Sequence, residues 1–166
     1  MAKTGTAGRQ KSSSVFALIA ASAVVMTGVA TIAVAETKID RSKLPPAVEK
    51  TVEEQSQGAT IKGFMTETEG GVFEYEAEMV VNGHTKDIAI AKDGTLLEIE
   101  EEVAMNTLPD AVQKALTAKA AGAKITKVET LTKKGKLVAY EAATVKGTKK
   151  SEFQLGPNGE KLAHEE

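Results

Sequence analysis

The sequence predicts an α+β protein: two tandem α-β-β-β(β) repeats, each a helix packed on one face of an antiparallel sheet. Three observations predict it. Leu44-Pro45-Pro46-Ala47-Val48-Glu49-Lys50 returns 64 residues later as Leu108-Pro109-Asp110-Ala111-Val112-Gln113-Lys114. The stretches that follow recur at nearly the same offset: Gly58-Ala59-Thr60-Ile61 as Gly122-Ala123-Lys124-Ile125, Tyr75-Glu76-Ala77 as Tyr140-Glu141-Ala142, and Asp93-Gly94 as Asn158-Gly159. A long repeat held in register is a signal of architecture. After each copy the apolar period changes from helical spacing to two, and glycine-containing turns then divide the chain into short strands.

The N-terminus comes first. Lys3, Arg9 and Lys11 precede an apolar run from Val15 to Ile32, and Ala33-Val34-Ala35 has the small-x-small form of a cleavage site. Residues 1–35 therefore read as a secretory signal peptide cut before Glu36. An uncleaved anchor is the alternative, since Val15 to Ala35 is 21 residues, long enough to span a bilayer. Residues 36–43 read as a polar linker without periodicity. Repeat one is assigned to 44–103 and repeat two to 104–166.

The first helix begins near Leu44, with prolines in the first turn, where the missing N–H costs nothing. Leu44, Val48 and Val52 form its apolar stripe, and Gly58 reads as its stop. Leu108, Ala111, Val112, Ala115 and Leu116 form the stripe of the second helix, with Thr107 as its cap, Asp110 in its first turn and Gly122 at its end.

Strands are expected over 60–68, 72–81, 84–91 and 95–101, then over 125–131, 137–145 and 149–155. From Val72 to Val81 the chain alternates, with Phe73, Tyr75, Ala77 and Met79 on one face and Glu74, Glu76 and Glu78 on the other. Asn82-Gly83 between two such runs is a strong hairpin signal, because both residues tolerate positive φ. With about 60 residues, each unit is marginal alone, so two units packed side by side are expected.

Composition bounds the function. The chain has 166 residues, 42% apolar and 27% charged, ordinary for a globular protein. It has no cysteine, which excludes a lipoprotein anchor, disulfides and thiol catalysis. Charge is uneven. Residues 44–103 hold four Lys against fourteen Asp and Glu, a net of −10, whereas 104–166 hold eleven Lys against seven, a net of +4.

Nothing in the sequence points to a catalytic constellation. His84 follows a turn, His164 lies in the tail, and neither has a partner at metal-ligand spacing. There is no phosphate-cradling glycine loop and no nucleophile elbow. The run Glu98, Glu100, Glu101, Glu102 reads as a solvated strand edge, without the loop pattern of a calcium site. Glu74, Glu76 and Glu78, spaced ~6.6–7 Å along one strand, are either an ordinary wet face or a negative platform for a cationic partner or divalent ion. Lys133, Lys134, Lys136, Lys146, Lys149 and Lys150 gather at the hairpin ends of repeat two. With no arginine there and no stacking aromatics, they read as edge protection rather than a nucleic-acid surface.

The Leu-Pro-x-Ala-Val-x-Lys helix start, the Gly-Ala-x-Ile entry to the first strand, the Tyr-Glu-Ala strand and the Asp-Gly or Asn-Gly hairpin resemble the PepSY-like, or beta-lactamase-inhibitor-like, domain family. The resemblance covers about 120 residues as two tandem copies. It implies an exported bacterial protein of α-β-β-β units, some of whose relatives bind and restrain peptidases, and it supplies no catalytic residues. The expectation is an exported, non-catalytic binding module, periplasmic or secreted, that restrains a peptidase or other hydrolase of the cell envelope. The alternative is a divalent-metal or small-ligand sensor using the acidic sheet face. A protein partner is expected, with Glu74, Glu76 and Glu78 facing it. No cofactor, nucleic acid or membrane contact after signal cleavage is expected, and the oligomeric state is left open.

Overall fold

A computed structural model describes residues 36–69 and 71–166. The expected signal peptide lies outside the described residues. Among these, no helix is long and apolar enough to cross a membrane.

The elements run in the order β1 (Thr37–Ile39), α1 (Pro46–Gln55), β2 (Thr60–Glu69), β3 (Val72–Val81), β4 (His84–Ala91), β5 (Leu96–Glu102), α2 (Asp110–Ala120), β6 (Lys124–Lys133), β7 (Lys136–Lys146) and β8 (Lys149–Leu155). All eight strands form one sheet in sequence order, with every neighbouring pair antiparallel. The strands were legible because alternation and turn residues are local signals. Their joining was not. Each repeat was expected to have its own sheet, but β5 pairs with β6 from Glu98↔Lys133 to Glu102↔Glu129, making a single surface. The segment read as a linker also differs, since Thr37–Ile39 adds an edge strand on β2 and Arg41–Lys43 forms a 3-10 turn.

Both helices lie on the same face of the sheet. Leu44, Val48 and Val52 are buried against Phe64, Ala77, Met79, Ile88 and Ile90. Leu108, Val112 and Leu116 are buried against Val128, Tyr140, Ala142 and Leu155. Ala111, read as part of the second stripe, is exposed instead. Thr107 does not cap α2. It lies in a 3-10 turn and its hydroxyl donates to Ala104 O at 2.7 Å, while Pro109 occupies the cap position. Phe73, expected inward, is 49% exposed near the start of β3 and meets Tyr75 edge-on at 5.4 Å.

Each helix is held close by a turn at the far end of its half. Gly94 has φ +89°, and a Cβ there would lie 2.7 Å from Ala47 O at the start of α1. The hydroxyl of Thr51 donates to Gly94 O at 2.7 Å. In the other half, Gly159 has φ +83° and approaches Ala111 O in the same way. Gly94→Ala is expected to cost about 2–3 kcal/mol, from left-handed strain together with overpacking. A urea melt checks this, and an unchanged midpoint would show that the turn can move away from α1.

Candidate functional site

The face of the sheet away from the helices carries the acidic residues. Alternation places Glu74, Glu76 and Glu78 of β3 there together, as the sequence predicts. Strand pairing then brings others beside them. Glu74 stands opposite Glu67 of β2, Glu78 opposite Asp87 of β4, and Asp87 opposite Glu100 of β5. Glu102 stands opposite Glu129 of β6, and Glu129 opposite Glu141 of β7. Glu141 faces Gln154 of β8, whose amide donates to its carboxylate at 2.9 Å.

The face is concave. One cleft of about 330 Å³ is lined by Glu67 of β2, Glu76, Asp87 and Glu100, and also by Glu152 of β8. In a flat sheet, β2 and β8 would stand six strand spacings apart, about 29 Å. Sharing one cleft requires the sheet to curl, as the twist of strands favours. Small residues let the walls approach, since Ala89 lies between Glu76 and Glu98, and Gly63 opposite Glu78.

Burial inside the cleft governs its electrostatics. Glu74, Glu98 and Glu129 are buried, as are Met65, Leu131 and Ala139 on the same face. For Glu76, Asp87, Glu100 and Glu141, burial withdraws water from the carboxylate and neighbouring carboxylates repel it, so both effects favour the protonated form. Glu100 is pushed up to about 9 by burial first, then by Glu141, Glu129, Glu98 and Asp87. Glu76 is pushed up to about 8 by burial, then by Glu67, Asp87, Glu36 and Glu78. Asp87 is pushed up to about 6 by burial and Glu129, against the pull of Lys127. Glu141 is also raised by burial, against its hydrogen bond from Gln154.

Positive charge is present but peripheral. Lys133 bridges to Glu98 at 3.0 Å and Lys127 to Glu129 at 2.8 Å. Glu129 also accepts from the Thr85 hydroxyl at 3.2 Å. Acceptor oxygens of Asp87, Glu100 and Glu129 all lie within 4.8 Å of one another. Three carboxylates that close are a donor set a divalent cation could use.

Two sequence expectations are corrected here. Glu74 does not face solvent, being only 4% exposed. The run Glu98 to Glu102 is not a strand edge, because β5 is paired on both sides. Glu98 and Glu100 line the cleft, Glu102 accepts from the backbone N–H of Thr85 at 3.0 Å, and Glu101 turns to the other face and meets Lys86 at 3.3 Å. Asp87, Glu129, Glu141 and Glu152 were missed. The signal that could have found them is the repeated placement of acids on the polar alternation of successive strands. His84 is exposed, as expected, with Nδ1 at 3.7 Å from Glu102.

No family model matches the sequence, and no curated protein matches it. Solved structures do share its fold. A BLIP-like protein from Bacteroides fragilis is 23% identical, with a TM-score of 0.51 over 72% of this chain and 83% of that one. A Bacteroides eggerthii protein described as periplasmic is 18% identical, with a TM-score of 0.57 over 70% of this chain and 84% of that one. A DUF2874 family protein from Bacteroides uniformis is 17% identical, with a TM-score of 0.55 over 70% of this chain and 84% of that one. These likenesses establish a BLIP-like α+β fold.

Proposed function

We propose that this chain is an exported, non-catalytic binding module that takes a cationic partner in the concave acidic cleft. The observation that carries this reading is the crowding of carboxylates whose proton affinity burial and mutual repulsion have raised. Such a surface gains from any partner that supplies positive charge. The partner class is a protein with a basic surface, and a peptidase or other hydrolase of the cell envelope is the class that the family resemblance implies. Glu76 and Glu78 are its contact residues, with Glu74 beneath as part of the buried charge.

The same reading takes the two halves as tandem PepSY-like units. Support lies in the matched burial of Leu44, Val48 and Val52 with Leu108, Val112 and Leu116, and in the matched approach of Gly94 to Ala47 and Gly159 to Ala111. Export is supported by the sequence of residues 1–35 and by the periplasmic description of a protein with this fold. Intact mass of the exported protein is expected to begin at Glu36, and a membrane-held chain retaining residues 1–35 would instead support the anchor.

The test is capture from the native envelope fraction, comparing wild type with Glu76→Gln/Glu78→Gln, followed by mass spectrometry. The wild type is expected to retain a basic envelope protein that salt elutes, and the variant to lose it while melting normally. Equal capture by both would sink the cleft as the binding surface.

A second reading is favoured by the convergence of Asp87, Glu100 and Glu129. Here the cleft binds a divalent cation, with calcium the better fit because it accepts irregular sets of oxygen ligands. Calcium is then expected to raise the melting temperature of wild type and to displace a proton, since Glu100 holds its own to about 9. Calorimetry in buffers of different ionisation enthalpy detects the release. No buffer dependence, or an equal rise in Glu100→Gln, would exclude it.

A further inference from the structure

The β7–β8 hairpin is the positive counterpart of the cleft. Its tip, Lys146-Gly147-Thr148-Lys149-Lys150, is fully exposed, and Lys124 at the start of neighbouring β6 is exposed beside it. None of these four lysines makes an ion pair among the described residues. The ammonium of Lys146 instead donates to Ala121 O at 3.3 Å. The hairpin is paired within the sheet from Tyr140↔Leu155 to Lys146↔Lys149, so its charges stand at the end of the last ladder of the sheet.

The chain therefore carries an uncompensated basic tip and an acidic cleft that do not neutralise each other within one molecule. We propose that the β7–β8 hairpin tip of one copy docks in the concave acidic cleft of a second copy, head to tail. This rests on the reading of the cleft as a surface for cationic partners and makes a second copy one such partner. Charge complementarity selects the occupant: the tip has three lysines within five residues, and the cleft is lined by carboxylates from β2, β3, β4, β5 and β8. The two surfaces are different patches, so the contact is heterologous. After docking, the pair still offers one free tip on one copy and one free cleft on the other, and association can continue. Salt weakens it, because the lysines of the tip are exposed to screening ions before they dock.

Analytical ultracentrifugation of the full exported chain tests this, with two variants. Lys149→Glu/Lys150→Glu lacks the tip but keeps the cleft, while Glu76→Lys/Glu78→Lys lacks the cleft but keeps the tip. Wild type is expected to show concentration-dependent species larger than a dimer at low salt and a monomer at high salt. Each variant alone is expected to be monomeric, and an equimolar mixture to form a dimer that grows no further, since one donor and one acceptor remain. If the second variant melts early, Glu76→Gln/Glu78→Gln replaces it, with weakened rather than abolished association. Wild type that stays monomeric at low salt and high concentration overturns the proposal and leaves the lysines as edge protection. Variants that associate like wild type overturn it too. Cleft-dependent capture of a basic envelope protein by a strictly monomeric wild type would separate failure of this proposal from failure of the cleft reading.

Discussion

Val112→Asp is expected to destabilise the whole chain as one cooperative unit. Val112 is fully buried in the centre of α2, among Leu108, Leu116 and the β6–β8 side chains. Exposing or displacing it forfeits roughly 1.5–3 kcal/mol of apolar burial. A carboxylate in its place adds a desolvation penalty of several kcal/mol unless it is protonated or the helix lifts away. Total stability of a domain is about 5–15 kcal/mol. The two apolar cores share no residue, yet β5 and β6 are continuous ladder. Losing the second core strips β5 of a neighbour and leaves a unit of marginal size. Far-ultraviolet circular dichroism against urea should therefore show one transition, moved to much lower urea, and Val48→Asp should do the same from the other core. Two separated transitions, with the first half surviving, would mean that the halves fold independently.

Stability is expected to fall as pH rises from about 5 to 9. In the unfolded chain a glutamate titrates near 4.5, whereas folded Glu100 holds its proton to about 9 and Glu76 to about 8. Between those limits the folded state binds more protons than the unfolded one, so raising pH favours unfolding. The contribution is complete below the unfolded value and is lost progressively toward the folded one. Asp87 adds a smaller change over the range up to about 6. The combined effect is on the order of 2–3 kcal/mol after discounting for partial solvent screening. Glu100→Gln, which cannot ionise, should flatten the profile and be more stable than wild type at pH 9. Melting curves at a series of pH values check this. A wild type equally stable at pH 5 and pH 9 would mean that counter-ions or water already satisfy the cleft.

Turn and strand positions were legible because each depends on neighbours in sequence. Asn82 at φ +52° followed by Gly83 at +89° adopts the hairpin conformation that the residue types foretold. Leu44, Val48 and Val52 are buried as their spacing required. The short strand Thr37–Ile39 was not legible, since three residues carry no period, and only the exposed edge of β2 recruits them.

The acidic cleft was half legible. Alternation put Glu74, Glu76 and Glu78 on one face, but alternation says nothing about which strands stand beside them. Asp87 and Glu100 are 13 residues apart in sequence and become neighbours only through the β4–β5 register. Glu129 joins them only because β6 follows β5 in the same sheet. Burial of Glu74 at 4% exposed follows from the curl of that sheet, a property of all eight strands together.

The sequence by itself therefore determined both helices and strands β2 to β8, their order, the buried helix positions other than the exposed Ala111, and the sign of charge in each half. These follow from side-chain type and spacing along the chain, which act over a few residues. Only the tertiary structure decided that the strands form one sheet, that the sheet curls, and that carboxylates from separate strands are crowded into one cleft. Those outcomes depend on backbone hydrogen bonds between distant segments, and on electrostatics that act through space and grow as burial removes the water between charges.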